Sequence, residues 1–287
     1  MLHQKASNWV TFSALTLLWG SSFILMKEGA KNLTGWQIGT IRVLAAALVF
    51  LPFAVLAIRK VPAKKLPLII LTGILGNLFP AFLFGIAISE KIESSLAGIL
   101  NSLTPLFVII IGAVFFKKTV PAAKVVGVMI GLAGLILLNF TRGPVTVSEF
   151  GFTLLILLAT FLYGLNVNII TNYLAGINPF RMAAISIAFL LLPALVALYL
   201  NPLPADSVPV RQSIGACIAL GVLSSSIATA MYYSLIKKAG GLFASLVTYV
   251  IPLVAIFWGL LYGETVGPLQ VGCLAIILGG VYLVNKA

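Results

Sequence analysis

Several polar side chains interrupt long apolar runs of this sequence, at positions where their spacing could create a binding site. The stretch ILNSLTPLFVIII (99–111) places Asn101, Ser102 and Thr104 directly before Pro105. Because proline has no amide hydrogen to bond the carbonyl four residues earlier, Pro105 frees the carbonyl of Asn101. In lipid, such a carbonyl needs a donor from a neighbouring helix, a side chain or a wet cavity. The stretch therefore predicts a helix that lines a polar interior.

Similar amide, hydroxyl and aromatic side chains occur near the middle of other apolar runs. Spacings of three, four and seven residues put several of them on common helix faces. We expect them to line a cavity for a small neutral or zwitterionic molecule, held by hydrogen bonds and aromatic surface. The predicted binding residues are Trp19, Ser22, Asn77, Asn101, Ser102, Thr104, Tyr163, Asn166, Ser225, Thr229, Thr248 and Tyr249. The alternative is structural, since Ser and Thr in such helices often bond their own backbone or a neighbouring helix.

Arg42 raises a separate question, because it lies about two helical turns inside an apolar run, roughly 10 Å at 1.5 Å per residue. Its side chain could extend towards the membrane surface, pair with Glu28, or meet a substrate carboxylate. The sequence favours a structural or gating ion pair, so Arg42 and Glu28 are predicted gating residues. Gly127 and Gly131 form a small-xxx-small pair, which is typical of close helix packing within or between subunits.

The composition identifies the environment of these residues as a membrane. Of the 287 residues, 61% are hydrophobic and 8% are charged, against about 25% charged in soluble domains. The net charge of +12 would suggest nucleic-acid binding in a soluble chain, but these Lys and Arg residues lie mostly in short connections, as orientation signals do. We expect an all-α polytopic membrane protein whose partners are lipid and a small molecule, with no nucleic acid.

Apolar runs of about 20 residues, each long enough to cross a bilayer as a helix, recur along the chain. The first is too long for a signal-peptide core, and we expect it to stay in the mature protein. The ten candidate spans are residues 8–27, 35–58, 66–88, 93–116, 121–139, 149–173, 178–200, 213–236, 240–262 and 267–285. With the N-terminus inside, the inner segments hold twelve Lys and Arg residues and the outer segments five. Both termini are therefore predicted to face the cytoplasm, in a plasma or bacterial inner membrane.

The fourth and ninth spans repeat one pattern at a constant offset of 147 residues. At this offset Ala97 matches Ala244, and Pro105 matches Pro252, which frees the carbonyl of Thr248. Five spans per unit is an odd number, so the second unit enters the membrane from the opposite side. The sequence predicts two inverted five-helix repeats, residues 1–145 and 146–287, around a central cavity. Pro105 and Pro252 are predicted to mark the helix breaks about which the halves move.

With these features, the chain resembles the ten-helix EamA-type members of the drug/metabolite transporter superfamily. The matching stretches are WGSSF with Lys27, SSLAGILNSLTPLF (94–107), and the segment from LIKKAGG to the last span. This resemblance implies a small-metabolite permease, often an exporter of amino acids or related compounds, that works by alternating access. From the residues themselves, we expect no enzymatic activity and no cofactor or metal.

The acidic residues and the histidine bear on the driving force. Glu28, Glu90, Glu93, Glu149, Asp206 and Glu264 lie at or near predicted helix ends, and His3 precedes the first span. Proton-driven transporters usually relay protons through an acidic residue or His inside the membrane. We therefore expect a facilitator or exchanger without a central proton carrier.

Other functions stay open at the level of sequence. A proton-coupled drug or metabolite exporter would need an acidic residue deep inside the membrane. A lipid-handling membrane protein would be distinguished by its failure to bind dissolved amino acids. An enzyme would need a motif such as H-E-x-x-H or G-x-S-x-G, which the sequence lacks. The sequence leaves the oligomeric state open between a monomer and a weak dimer.

Overall fold

The computed structural model describes residues 2–90, 94–140, 150–261 and 267–286. Within these ranges, all regular secondary structure is helical. This confirms the all-α class, whereas the predicted repeat boundary at residues 145 and 146 lies outside the described residues.

The helices of the first half are named here in chain order. They are α1 (Leu2–Gly20), α2 (Ser22–Gly29), α3 (Gly35–Ile58), α4 (Leu66–Gly73), α5 (Phe79–Ser89), α6 (Ser94–Asn101), α7 (Thr104–Phe116) and α8 (Ala122–Phe140). A short 3₁₀ helix (Ala63–Lys65) precedes α4, and a π-helix (Ile74–Leu78) joins α4 to α5.

The helices of the second half continue this numbering. They are α9 (Phe150–Tyr173), α10 (Pro179–Ala188), α11 (Leu191–Leu200), α12 (Val208–Leu220), α13 (Ala228–Ala239), α14 (Gly241–Ser245), α15 (Val247–Leu261) and α16 (Pro268–Lys286). A second π-helix (Gly221–Ile227) joins α12 to α13.

Local sequence explains where two of the helices begin. Thr34 and Gln37 form a reciprocal capping box at the start of α3, so that two backbone amides that the helix leaves free find acceptors. The Asn178 side chain accepts the amide of Arg181 at the start of α10, and Pro179 occupies its first turn, where a missing N–H costs nothing. These starts place Arg42 inside α3 and open the seventh predicted span.

The lengths of the helical segments match the predicted spans in part. Within the described ranges, the segments that are long and apolar enough to cross a bilayer are six: Ala6–Gly29, Gly35–Ile58, Ala63–Ser89, Gly151–Tyr173, Pro179–Leu200 and Val208–Ala239. The other four predicted spans coincide with shorter apolar helices, Thr104–Phe116, Ala122–Leu138, Gly241–Val254 and Val271–Val284. The polytopic membrane fold is thus established, and the count of ten crossings stays a prediction.

The exterior of the helical bundle is apolar, as a lipid-facing surface must be. Leu192, Phe115 and Leu56 are 71%, 69% and 69% exposed, and each would cost free energy in water. Polar side chains are instead buried, among them Ser102, Thr160 and Ser226, each 0% exposed. This inversion of the soluble pattern fits a protein surrounded by hydrocarbon.

Helices from the two halves pack against each other throughout the bundle. The most extensive contact joins α8 to α16, and α3 packs against α10 and α11. A Cβ added at Gly280 would lie 2.5 Å from the backbone nitrogen of Gly131 and 2.6 Å from the carbonyl oxygen of Gly127. The Gly127 and Gly131 pair therefore allows close packing within the chain, one of the two options that the sequence left open.

Candidate functional site

A cavity lies between the two halves, where the broken helices meet. The centres of water molecules can occupy about 70 Å³ of it, several times the roughly 10–15 Å³ that one water needs. Both halves of the chain contribute to its lining. The lining residues are Trp19, Ser22, Phe23, Met26, Arg42, Gly76, Asn77, Phe84, Asn101, Thr104, Tyr163, Ser224, Thr229, Tyr232, Thr248 and Ile251.

Eight of the twelve predicted binding residues line this cavity. They are Trp19, Ser22, Asn77, Asn101, Thr104, Tyr163, Thr229 and Thr248. The structure thus gathers residues that are far apart in sequence around one space. Their role in binding remains a prediction.

The two π-helices, one in each half of the chain, supply polar groups to the cavity lining. One includes Asn77 and the other includes Ser224 and Ser225, and the two begin 147 residues apart, at Ile74 and Gly221. A π-helix holds an extra residue per turn and is often found at functional sites, because it shifts the faces that the helix presents. This explains why Asn77 faces the cavity from an otherwise apolar segment.

The first span is interrupted at Ser21, beside the cavity. The Ser22 hydroxyl donates to the carbonyl of Trp19 at 2.5 Å, and the indole Nε1 of Trp19 donates to the carbonyl of Ser224 at 3.0 Å. The Trp19 ring also packs edge-on against Tyr232, with centroids 4.9 Å apart. Trp19 therefore joins the first and eighth spans across the interface between the halves.

Three asparagine side chains are buried around the cavity. Thr229 Oγ1 donates to Asn77 Oδ1 at 3.2 Å, but Asn77 Nδ2, Asn101 Oδ1 and Asn166 Oδ1 have no hydrogen-bond partner among the residues that the structure describes. An unsatisfied buried group costs about 1–3 kcal/mol. Such a cost is expected where a ligand or water supplies the missing bond.

The carbonyls freed by the two prolines are satisfied by hydroxyl groups. Thr104 Oγ1 donates to the carbonyl of Asn101 at 2.6 Å. Ser102 Oγ lies 2.8 Å from the carbonyl oxygens of both Thr248 and Gly98 and shares its one proton between them. The polar residues before Pro105 therefore supply the donors that both prolines remove.

The proline positions are only partly equivalent in structure. Both Pro105 and Pro252 are buried, and Pro105 lies in the first turn of α7, just after the break at Ser102. Pro252 lies inside α15, whereas the ninth span is interrupted earlier, at Leu246. The expectation that Pro252 itself marks the break is wrong, because Ser102 satisfies the carbonyl that Pro252 frees and the helix continues past it.

Four predicted binding residues lie outside the cavity lining. The Tyr249 hydroxyl donates to the carbonyl of Val128 at 2.9 Å, and the ring packs against Gly131. Asn166 lies behind Gly76, and Ser102 bridges helices. Ser225 is replaced in the lining by Ser224, because the π-helix shifts the register that an α-helical face count assumes.

Arg42 lines the cavity and does not pair with Glu28. The carboxylate of Glu28 binds Lys31 Nζ at 2.6 Å, on an exposed turn. Arg42 Nε instead donates to Ser225 Oγ at 2.7 Å. The expected Arg42–Glu28 ion pair is therefore wrong, and the cavity that the sequence predicts for a neutral or zwitterionic molecule contains a positive charge.

Sequence reasoning missed the apolar and aromatic part of the wall. The Phe84 ring stacks on Tyr163, with centroids 6.3 Å apart, and Phe23 lies edge-on to Phe84 at 6.2 Å. Met26 and Ile251 complete this surface. In so apolar a chain these residue types give no signal of their own, although Phe23 and Met26 follow Trp19 at helical spacing.

The residues suited to holding a metal are dispersed. In the part of the chain that the structure describes, no three His, Cys, Asp or Glu side chains form a group that could hold an ion. The two cysteines, Cys217 and Cys273, are buried separately as free thiols.

Comparisons with known proteins agree with this architecture. The chain is 28% identical to the uncharacterized inner membrane transporter YedA of Escherichia coli (strain K12), over 95% of this chain and 88% of YedA. It is 24% identical to an uncharacterized transporter of Archaeoglobus fulgidus, over 97% of this chain and 98% of that protein. It is also 26% identical to the S-adenosylmethionine/S-adenosylhomocysteine transporter of Chlamydia muridarum, over 88% and 83%.

The fold and the family are matched along almost the whole chain. A crystal structure with 18% sequence identity matches 97% of this chain and 96% of its own, with a TM-score of 0.71. The model of the EamA-like transporter family matches twice, over residues 8–140 and 152–286. The chain is an integral membrane protein that belongs to the EamA-like transporter family.

Proposed function

We propose that the protein is a secondary transporter of small polar metabolites such as amino acids or their derivatives. The observation that carries this proposal is the cavity, which both halves line and beside which buried amide atoms find no partner in the described part of the chain. A static structural role would leave those atoms as a permanent cost. A transporter that admits a polar molecule or water between its halves relieves that cost during its cycle.

Alternating access between two inverted five-helix units is the proposed mechanism. The family model matches each half once, and the two π-helices begin at equivalent positions of the repeat. Packing also follows the repeat, since α8 meets α16, α1 meets α15 and α7 meets α9. These features support a pseudo-two-fold arrangement in which one half moves against the other around the cavity. The excess of Lys and Arg in the inner segments supports a place in the inner membrane with both termini in the cytoplasm.

The substrate class rests on the chemistry of the lining. Amides, hydroxyls and stacked aromatic rings bind a compact molecule with both polar and apolar parts. One relative is named for the transport of S-adenosylmethionine and S-adenosylhomocysteine, both of which are amino-acid derivatives. This supports amino acids and their derivatives as the first compounds to test.

The charges argue for facilitated transport or exchange over proton coupling. Among the described residues, the acidic side chains are Glu28, Glu90 and Asp206, and all three are exposed. None of them lines the cavity, where a proton carrier would have to reach the substrate.

The test is uptake of radiolabelled amino acids into proteoliposomes, with and without a protonophore. We expect transport to persist when the proton gradient is collapsed. A strict requirement for the gradient would favour the proton-coupled alternative, and transport of lipid without binding of any amino acid would favour the lipid-handling alternative.

Site variants and matched controls connect this transport to the cavity. We expect Asn101→Ala and Tyr163→Phe to reduce transport, because both residues line the cavity. The controls are Asn201→Ala, whose amide bonds the carbonyl of Ala197 at the end of α11, and Tyr199→Phe, whose side chain is 86% exposed. Unchanged transport in both cavity variants would remove these residues from the site.

A further inference from the structure

Arg42 is a buried cation for which the described part of the chain provides no counterion. Its side chain is 8% exposed and lines the central cavity. Nε donates to Ser225 Oγ at 2.7 Å, and Nη1 lies 4.0 Å from Met26 Sδ. Within the described ranges, no carbonyl, hydroxyl or carboxylate oxygen accepts a hydrogen bond from either terminal nitrogen of the guanidinium.

The acidic residues of the described chain are all exposed, and two of the three are paired. Glu28 pairs with Lys31 at 2.6 Å, and Asp206 pairs with Arg211 at 2.9 Å. Glu90 is exposed at the end of α5. A guanidinium keeps its charge in proteins, and a buried charge without a partner is strongly unfavourable. A site that retains such a charge is one in which a ligand supplies the partner.

We infer that Arg42 binds the carboxylate of the transported molecule, so that the substrates are monocarboxylates such as amino acids. This inference rests on the proposed transport function and names its substrate class. Ser225 holds the guanidinium at Nε, which leaves the two terminal nitrogens for the cavity. A planar pair of N–H donors matches the two oxygens of a carboxylate.

The single charge of Arg42 matches a ligand that carries one carboxylate. A carboxylate neutralises one guanidinium, whereas a phosphate dianion would leave net negative charge in a cavity where the described lining includes no other cation. Uncompensated charge of this kind is costly at low dielectric. The aromatic and apolar wall, formed by Phe23, Phe84 and Tyr163, would then contact the rest of the molecule.

Ser225 is a positioning residue in this arrangement. It lies in the π-helix of the eighth span, where the backbone of Gly221 approaches α3 so closely that an added Cβ would lie 2.4 Å from the carbonyl oxygen of Arg42. This close approach brings the Ser225 hydroxyl within hydrogen-bond distance of Arg42 Nε. Ser225 therefore orients the guanidinium without contacting the substrate.

The experiment is a thermal-unfolding screen of the purified full chain with matched probes. L-methionine, L-phenylalanine and L-threonine are each compared with the corresponding amide, which lacks the carboxylate, and with inorganic phosphate at equal ionic strength. We expect at least one free acid to raise the melting temperature, its amide to have little effect, and phosphate to have none.

Variants then assign the effect to Arg42. Arg42→Gln should weaken binding of the stabilising acid by about 10- to 100-fold, the range for a lost charge-assisted hydrogen bond. Ser225→Ala should weaken it by a smaller factor. Arg211→Gln, which removes an exposed guanidinium paired with Asp206, is the matched control and should bind like the wild type.

The ligand-free variants separate binding from a structural role. If Arg42 serves the ligand, Arg42→Gln without ligand should melt at or above the wild-type temperature, because a buried unpaired charge has been removed. The inference would be overturned by any of four results in these melts. They are equal stabilisation by acid and amide, stabilisation by phosphate alone, an undiminished shift in Arg42→Gln, and no shift with any acid. Uptake of a compound without a carboxylate that continues in the presence of a protonophore would support the transport proposal. The same result would exclude the carboxylate as the group that the site recognises.

Discussion

The Ser102 hydroxyl is predicted to be the donor that allows a proline inside the ninth span. Thr248 is 5% exposed, and its carbonyl oxygen lies 2.8 Å from Ser102 Oγ. Pro252 cannot supply the amide hydrogen that this carbonyl would bond in a regular helix. Ser102→Ala therefore leaves a buried carbonyl without a donor, and we expect it to lower the free energy of unfolding by about 1–2 kcal/mol.

A double-mutant cycle isolates this interaction. In Pro252→Ala, the new amide can donate to the carbonyl of Thr248, so that Ser102→Ala should then cost less than about 0.5 kcal/mol. The expected coupling between the two positions is about 0.5–2 kcal/mol, within the range found for residues that share one hydrogen bond. The assay is reversible unfolding in mixed micelles, followed by circular dichroism.

The control for this cycle removes a hydroxyl that is not the sole donor to its acceptor, because the acceptor carbonyl also binds a backbone amide. Thr16 Oγ1 donates to the carbonyl of Phe12 at 3.0 Å, inside α1, where that carbonyl also accepts a backbone amide. Thr16→Val should change stability by less than about 0.5 kcal/mol. If Ser102→Ala costs the same with and without Pro252, the account of how the proline is tolerated is refuted.

Two further predictions concern packing and surface charge. Gly280→Ala should destabilise the protein by about 1–3 kcal/mol, because its Cβ would meet backbone atoms of α8. Gly279→Ala, whose Cβ would meet nothing within 4 Å, should be neutral. Thermal melting of the two variants checks this, and equal melting temperatures would contradict it. Asp206→Asn should change the free energy of unfolding by less than about 0.5 kcal/mol, since its partner Arg211 is 67% exposed and solvent screens the pair. A larger loss of stability in the same melting experiments would show that this loop is coupled to the core.

The sequence determined the environment and the general class of the protein. Apolar runs of membrane-spanning length can only be helical in lipid, because each backbone amide must find its partner within its own segment. The offset of 147 residues between Pro105 and Pro252 likewise pointed to a repeated unit. Eight predicted polar residues line the cavity because buried polar groups in a membrane need partners, and those partners lie where helices meet.

Only the tertiary structure decided the details of that cavity. The two π-helices change which side chains face it, so Ser224 replaces Ser225, and no periodicity in the sequence reveals such an insertion. The Thr248 carbonyl finds its donor in Ser102, 146 residues away, and Arg42 lies against Ser225 instead of Glu28. These pairings depend on which helices are neighbours, and neighbours are fixed by close packing over the whole bundle, not by any local run of residues.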